Sequence, residues 1–273
     1  MKHLIVRTYI IFLFLVLALP SSAIGLKRTP AYKSGETLKC NLYFNWKFVW
    51  VKAGEASLVI RDTIYNGQKA QRMTLLSSTN KYADKFFRMR DTLTTVFAAD
   101  NRPLYYRKAS AEGKRYYLNE VCYDYLDCGK VKVFESYKRD KEPTVYKEDV
   151  VDDRVYDMMS LLAYARTLDF SSLKIGDRLT YPVATGRRIE PQHLIYRGKA
   201  RTKADDGYEY DCLLVSLVKM KDGKERSVID FYITNDANHL PILLDLALNF
   251  GSAKARITDK QGLLYPLKTG RKR

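Results

Sequence analysis

The sequence predicts a mainly β protein: a large curved antiparallel sheet, or an open and incomplete β-barrel, with one covering α-helix at about residues 152–169. Three observations carry that expectation. From Leu38 to Ile60 the even positions read Leu38, Cys40, Leu42, Phe44, Trp46, Phe48 and Trp50, whereas odd positions near both ends are polar, as at Lys39, Asn41, Glu55 and Ser57. A period of two marks strands with one buried face. Further alternating runs recur along the chain, separated by turn formers such as Asn66-Gly67, Asp205-Asp206-Gly207 and Lys221-Asp222-Gly223. One stretch breaks this pattern with helical spacing, at Val155, Met158, Met159 and Leu162.

Leu38–Ile60 is too long for one strand of roughly 3–10 residues. It must reverse near residues 45–47 or bend at Ala53-Gly54, where glycine tolerates a kink. The reading is two strands, Leu38–Phe44 and Ala53–Ile60, joined by a connection that contains Trp46, Phe48 and Trp50. Both tryptophans of the chain sit there. They either fill the end of the core or form an aromatic, lysine-flanked tip that touches a membrane or a partner, because indole suits half-wet sites. Trp46, Phe48 and Trp50 are therefore the candidate contact residues.

Asn66-Gly67 closes the next hairpin, and 69–78 returns as a strand. Residues 80–85 make a short helical or irregular crossing. Strands follow at 86–97, 103–109, 113–125 and 129–137, with a short edge strand at 143–147. Asp152 or Asp153 is positioned to cap the helix. The second half then resumes strands at 178–184, 189–200, 208–220, 228–234 and 240–256, the last interrupted at Gly251.

Residues 1–23 have the form of a secretory signal peptide: Lys2 and Arg7, an apolar run from Tyr9 to Leu19, then Pro20 and small residues. The apolar run is short of the roughly 20 residues of a membrane span. The expectation is an exported protein, periplasmic, with residues 24–273 forming a single β domain. The chain carries a net charge of +16; without Lys2 and Arg7 it is +14. Such a charge favours anionic partners. Export argues against nucleic acid and for an anionic envelope component.

The four cysteines are Cys40, Cys122, Cys128 and Cys212. An even number in an exported chain invites disulfides. Cys122 and Cys128 would lie on either side of a hairpin turn, too far apart for a bond unless the segment loops. The spacings match no zinc motif. His193 and His239 stand outside any metal-binding or nucleophile–base pattern, and the chain has no phosphate-cradling glycine loop and no Gly-x-Ser-x-Gly elbow. The sequence thus points to no catalytic residue, metal or cofactor, and to a non-enzymatic role. Asp152-Asp153 reads as a helix cap and Asp205-Asp206 as a turn. Asp62-Thr63-Ile64 and Asp91-Thr92-Leu93 match an Asp-Thr-aliphatic acceptor pattern for O-glycosylation of Thr63 and Thr92.

Several segments together resemble the DUF3108 family of exported bacterial proteins, in a form like that of Bacteroides-type bacteria. They are Gly35-Glu36-Thr37-Leu38 leading to Val51-Lys52-Ala53-Gly54-Glu55-Ala56, then the stretch from Tyr156 to Arg166, then that from Phe231 to Ile242, ending at Gly251–Ala255. The resemblance implies an antiparallel β fold and an envelope location. It implies no reaction and no active-site residue.

Two functional expectations follow. The first is an envelope binding or carrier protein that holds an apolar or anionic ligand, such as a lipid, on the concave sheet face beneath the helix. The second is a protein-interaction module in envelope assembly that uses a strand edge or the aromatic tip. A glycan hydrolase would need two carboxylates across a cleft.

Overall fold

The computed structural model describes residues 26, 28–46, 49–221, 224–248 and 251–272. The leader, Lys27 and Phe48 lie outside them, as does the side chain of Trp46. Among the described residues no helix is long and apolar enough to cross a membrane.

The first arm of the structure comprises β1 (Thr37–Trp46), β2 (Val49–Tyr65), β3 (Gln68–Thr79), β4 (Met89–Phe97), β5 (Pro103–Glu112), β6 (Arg115–Tyr125), β7 (Val131–Arg139) and β8 (Val145–Val151). The helix α1 (Met158–Arg166) follows. The second arm comprises β9 (Arg178–Ala184), β10 (Ile189–Lys203), β11 (Tyr208–Lys221), β12 (Lys224–Thr234), β13 (Pro241–Ala247) and β14 (Ser252–Gln261). All belong to one antiparallel sheet in the order β8-β7-β6-β5-β4-β3-β2-β1-β14-β13-β12-β11-β10-β9. Strand β1 pairs with both β2 and β14, so it is the seam where the arms join. The sheet curls without closing, and β8 and β9 are its two ends.

The long apolar run reverses after Trp46, so both tryptophans stand in strands, Trp46 ending β1 and Trp50 near the start of β2. This corrects the longer connection expected there. The other expected site, Gly54, is where β2 passes closest to β3: a Cβ on it would lie 2.1 Å from the Ser78 carbonyl oxygen. The register between β1 and β2 slips at Leu42/Tyr43, next to this glycine. A bulge and a glycine bend the strand and increase its twist, which lets a 17-residue strand follow the curve.

The helix is shorter than expected, and neither Asp152 nor Asp153 caps it. The cap is Asp157, whose Oδ1 accepts from the backbone N–H groups of Met159 and Ser160 at 2.9 Å. Ser160 Oγ in turn accepts from the Asp157 N–H, completing a capping box. The carboxylate's second oxygen accepts from Thr95 Oγ1 on β4 at 2.9 Å, which ties the helix to the first arm. A short last strand, β15 (Gly270–Lys272), pairs with β11.

Helix α1 lies between the arms. Met159 and Ala163 join a core with Ile60, Met73, Phe97, Tyr106, Val121 and Val133 of the first arm. Leu161 joins a second core with Val183, Leu194, Val215, Leu217 and Ile229 of the second arm. One helix thus divides the interior in two.

Three segments separated in sequence meet at the base of this helix. Arg166, 1% exposed, donates from Nη1 to Glu36 Oε1 at 2.6 Å and from Nη2 to Oε2 at 3.0 Å. Its Nε and Nη2 also reach the Asn238 carbonyl, and Tyr32 lies under the guanidinium. His239 Nδ1, at 2.7 Å from the Arg166 carbonyl, satisfies one of the open carbonyls at the helix end. Glu36, Arg166 and Asn238 come one each from the three stretches that carry the family resemblance. A buried pair of this kind fixes geometry more than it adds stability.

Candidate functional site

Antiparallel order places seven hairpin turns, β1–β2, β3–β4, β5–β6, β7–β8, β9–β10, β11–β12 and β13–β14, at one end of the sheet. We call this end the rim and the Glu36–Arg166 end the base. The first-arm interior is filled by its own side chains, with Ile60, Met73, Phe97, Val121 and Val133 all inaccessible to solvent. The second-arm interior is not. Between α1 and β9–β12 lies a pocket of about 130 Å³.

The pocket wall follows from strand alternation. Val215 and Leu217 on β11, Ile229, Phe231 and Ile233 on β12, and Leu194 on β10 all turn towards Leu161, Leu162 and Ala165 of the helix. Phe170 and Arg166 lie at the base. The polar residues gather at the rim: Thr185, Glu190, Gln192 and Lys219. Lys219 Nζ is 3.0 Å from Glu190 Oε1, and Arg188 Nε is 3.0 Å from Glu190 Oε2. Partial burial raises the Glu190 carboxyl, but Lys219 and Arg188 outweigh it and hold the group below the usual carboxylate range. The site is an apolar slot with a charged mouth, and the helix N-terminal residue Met158 stands half-exposed beside that mouth.

The mouth is held by the β9–β10 turn, which docks on the first arm without strand pairing. Glu135 of β7, almost fully buried, accepts from the backbone N–H groups of Thr185 at 3.0 Å and Gly186 at 2.8 Å. Asn119 Nδ2 donates to the Thr185 carbonyl at 2.8 Å. Gly186 has φ +84°, and a Cβ on it would meet Asn119 Cβ at 2.6 Å, so glycine is required on both counts. Burial raises the Glu135 carboxyl above its ordinary range, against the two N–H groups that lower it.

A second, polar depression of about 650 Å³ crosses β1–β4 and includes Cys40, Glu55, Arg90 and Asp91. Asp91 is one of two carboxylates that face each other near the rim. Ser110 Oγ lies between them, 2.5 Å from Asp91 Oδ1 and 2.9 Å from Glu112 Oε1. Desolvation raises the Asp91 carboxyl.

The remaining sequence candidates fall elsewhere. Trp50 is at the rim, away from the pocket, with Lys254 Nζ 4.5 Å from its ring centre. Trp46 ends β1 beside it, and Phe48 is outside the described residues. His193 Nδ1 is 2.9 Å from Thr180 Oγ1 in a cross-strand pair. Asp205 accepts from Asn41 and Tyr43, and Asp206 from Tyr210, so this turn fastens β10–β11 to β1. All four cysteines are free, and burial raises the thiols of Cys40 and Cys212 to about 12. Thr63 and Thr92 lie within β2 and β4. Among the described residues, no group of three His, Cys, Asp or Glu side chains could hold a metal.

The pocket residues themselves were not singled out by sequence pattern. A signal was present: the alternating series Leu213, Val215, Leu217 on β11 continues on the same face to Lys219. A charge in register with a buried apolar series marks where the interior meets solvent.

Comparison with known proteins places this architecture. The family model described as "Protein of unknown function (DUF3108)" matches residues 39–258, and the chain belongs to that family. No curated protein matches. Among solved structures, a "Beta-barrel-like Protein of Domain of Unknown Function DUF1849 from Brucella abortus" is similar, with a TM-score of 0.52 at 11% identity, covering 86% of this chain and 98% of that one. The likeness is one of fold.

Proposed function

We propose that this protein binds, without catalysis, the end of an apolar chain in the slot between α1 and β9–β12, and that it does so as an exported protein of the cell envelope. The observation that carries the reading is the contrast between a filled first arm and an unfilled second arm whose slot is apolar between the mouth and Arg166, which is already paired with Glu36 at the base. A cavity of about 150 Å³ lined by aliphatic groups stays dry and accepts a benzene-sized guest. Pockets that enclose a whole small molecule measure roughly 300–1,000 Å³. A slot of about 130 Å³ therefore takes only the end of a chain, and the rest emerges past Met158 and Lys219. Lys219 supplies a cation for an anionic head group, in exchange for Glu190. The apolar leader and the net charge of +16 support an envelope setting with an anionic ligand.

The interaction-module reading has less support. The outer edge of β9 is occupied by Tyr156, whose backbone N–H and C=O bond Pro182 and Ala184. Edge strand β8 carries Lys147, Glu148 and Asp149, held in ion pairs, and charges of this kind discourage strand addition.

The test is a fluorescence titration with a dansyl-labelled undecanoic acid. The proposal expects saturable one-to-one binding that is lost in Val215→Phe, which fills the slot, and weakened in Lys219→Glu. Binding that survives Val215→Phe would overturn it.

A further inference from the structure

Most of the exposed large apolar side chains among the described residues sit at the rim. Phe86 is 86% exposed, and Tyr82, Val49, Phe87, Trp50 and Leu248 accompany it from three different hairpin connections. These connections are neighbours. Asn80 N–H and Nδ2 bond to the carbonyls of Ala53 and Lys52, which fixes the β3–β4 loop against β2. A Cβ on Gly251 would lie 3.1 Å from the Asn45 carbonyl oxygen, so the β13–β14 turn abuts the end of β1. The apolar groups thus form one surface rather than scattered points, and a contiguous exposed apolar surface marks an interaction site.

Cations accompany these apolar groups at the rim. The β3–β4 loop carries Lys81, Lys85 and Arg88 against a single acid, Asp84, and that acid is already paired with Arg90. The β9–β10 turn adds Arg187 and Arg188. Turns at the base carry acids, as at Asp127, Asp205, Asp206 and Asp236, next to the basic strand β15 that pairs with β11 there. At the rim, cations also lie over aromatic rings: Lys254 Nζ is 4.5 Å from the Trp50 ring and Lys81 Nζ is 5.5 Å from that of Tyr82. Apolar rings and ammonium groups are held at the same level, which matches the boundary where acyl chains meet phosphate head groups.

We infer that the rim is a docking surface for an anionic lipid bilayer. Phe86 and Phe87 enter the acyl boundary, Trp50 and Tyr82 rest at head-group depth, and the lysines and arginines meet lipid phosphates. Basic residues near such a surface are attracted to it, and salt screens the attraction. The inference rests on the rim alone and does not require that the slot be occupied. It does place the mouth at Lys219 against the bilayer, since that mouth opens at the same end.

The test is flotation of the protein recovered from its host with vesicles of 70% phosphatidylcholine and 30% phosphatidylglycerol, followed by tryptophan emission. The Trp50 ring lies at the rim, so its emission reports this surface. Expected are co-flotation, a blue shift, and loss of both in 0.5 M salt or with pure phosphatidylcholine. Phe86→Ser/Phe87→Ser should lower the bound fraction at least tenfold with an unchanged melting temperature, and Ile64→Ser at the base should leave binding intact. Val215→Phe should still float, which separates docking from the slot. Failure to float with anionic vesicles, or equal loss in Ile64→Ser, would overturn the inference.

Discussion

The two faces of α1 meet the same sheet and end differently. On the first-arm face, Met159 and Ala163 pack against aromatic and aliphatic side chains that leave no accessible space. On the second-arm face, Leu161 and Ala165 look across a slot at Val215 and Leu217 of β11 and Ile229, Phe231 and Ile233 of β12. The difference lies in what the strands supply. The first arm brings Phe97, Tyr106 and Tyr123 inward. In the second arm the tyrosines Tyr156, Tyr164 and Tyr181 meet in tilted and edge-to-face pairs between helix and β9, with ring centres 4.9–5.6 Å apart. They stand outside the slot in front of β11 and β12. The packed core and the slot thereby lie on opposite sides of one helix.

The largest effect should come from removing what holds the helix for both faces. Arg166→Met leaves Glu36 buried and uncompensated, and should cost about 3–5 kcal/mol in urea unfolding. The double variant Glu36→Gln/Arg166→Met should recover part of that loss.

The next concerns Asp157, at the first-arm face. Burial raises its carboxyl to about 6, against the N–H and hydroxyl groups that lower it. In the unfolded chain it titrates near the ordinary value of about 3.9. The folded state therefore binds the proton more tightly, and its stabilising effect is complete below about pH 4. It is lost as pH rises to about 6, a fall of roughly 3 kcal/mol. Asp157→Asn keeps a capping oxygen and should flatten this part of the stability profile, measured by unfolding from pH 4 to 7.

The two faces can then be compared directly. Ala163→Leu enlarges a side chain with no accessible surface and should cost about 1–3 kcal/mol by overpacking. Val215→Phe adds bulk on the open face, where the slot receives it, and should cost less than about 1 kcal/mol. Equal costs at the two positions would show that the faces do not differ in packing. Lys219→Ala, at the exposed mouth, should change stability by only about 0–1 kcal/mol.

Much of the fold was legible because the strands alternate cleanly and glycine sits where geometry demands it. Gly54 could be named from the length of its run alone, and the break at Gly251 from an apolar series that outlasts one strand. The helix cap was legible in part. Asp157 alone has a local partner three residues on, Ser160, which completes a capping box, and Thr95, distant in sequence and adjacent in space, ties it to the sheet. The slot was hidden. Val215 and Leu217 read as core residues, and they are core residues. That they face a void depends on the volumes of partners contributed by α1 and β9. The sequence left Trp50 between core filler and aromatic tip, and its place at the rim emerged only from the shared direction of seven hairpins.

The most direct measurement is native mass spectrometry of the protein purified from its own host, with an organic extract analysed alongside and Val215→Phe prepared in parallel. The account predicts an added mass on the wild type that is lost on extraction, is identified as an acyl-chain compound, and is absent from Val215→Phe. A bare mass for both proteins, with no uptake when a long-chain fatty acid is supplied, would contradict it.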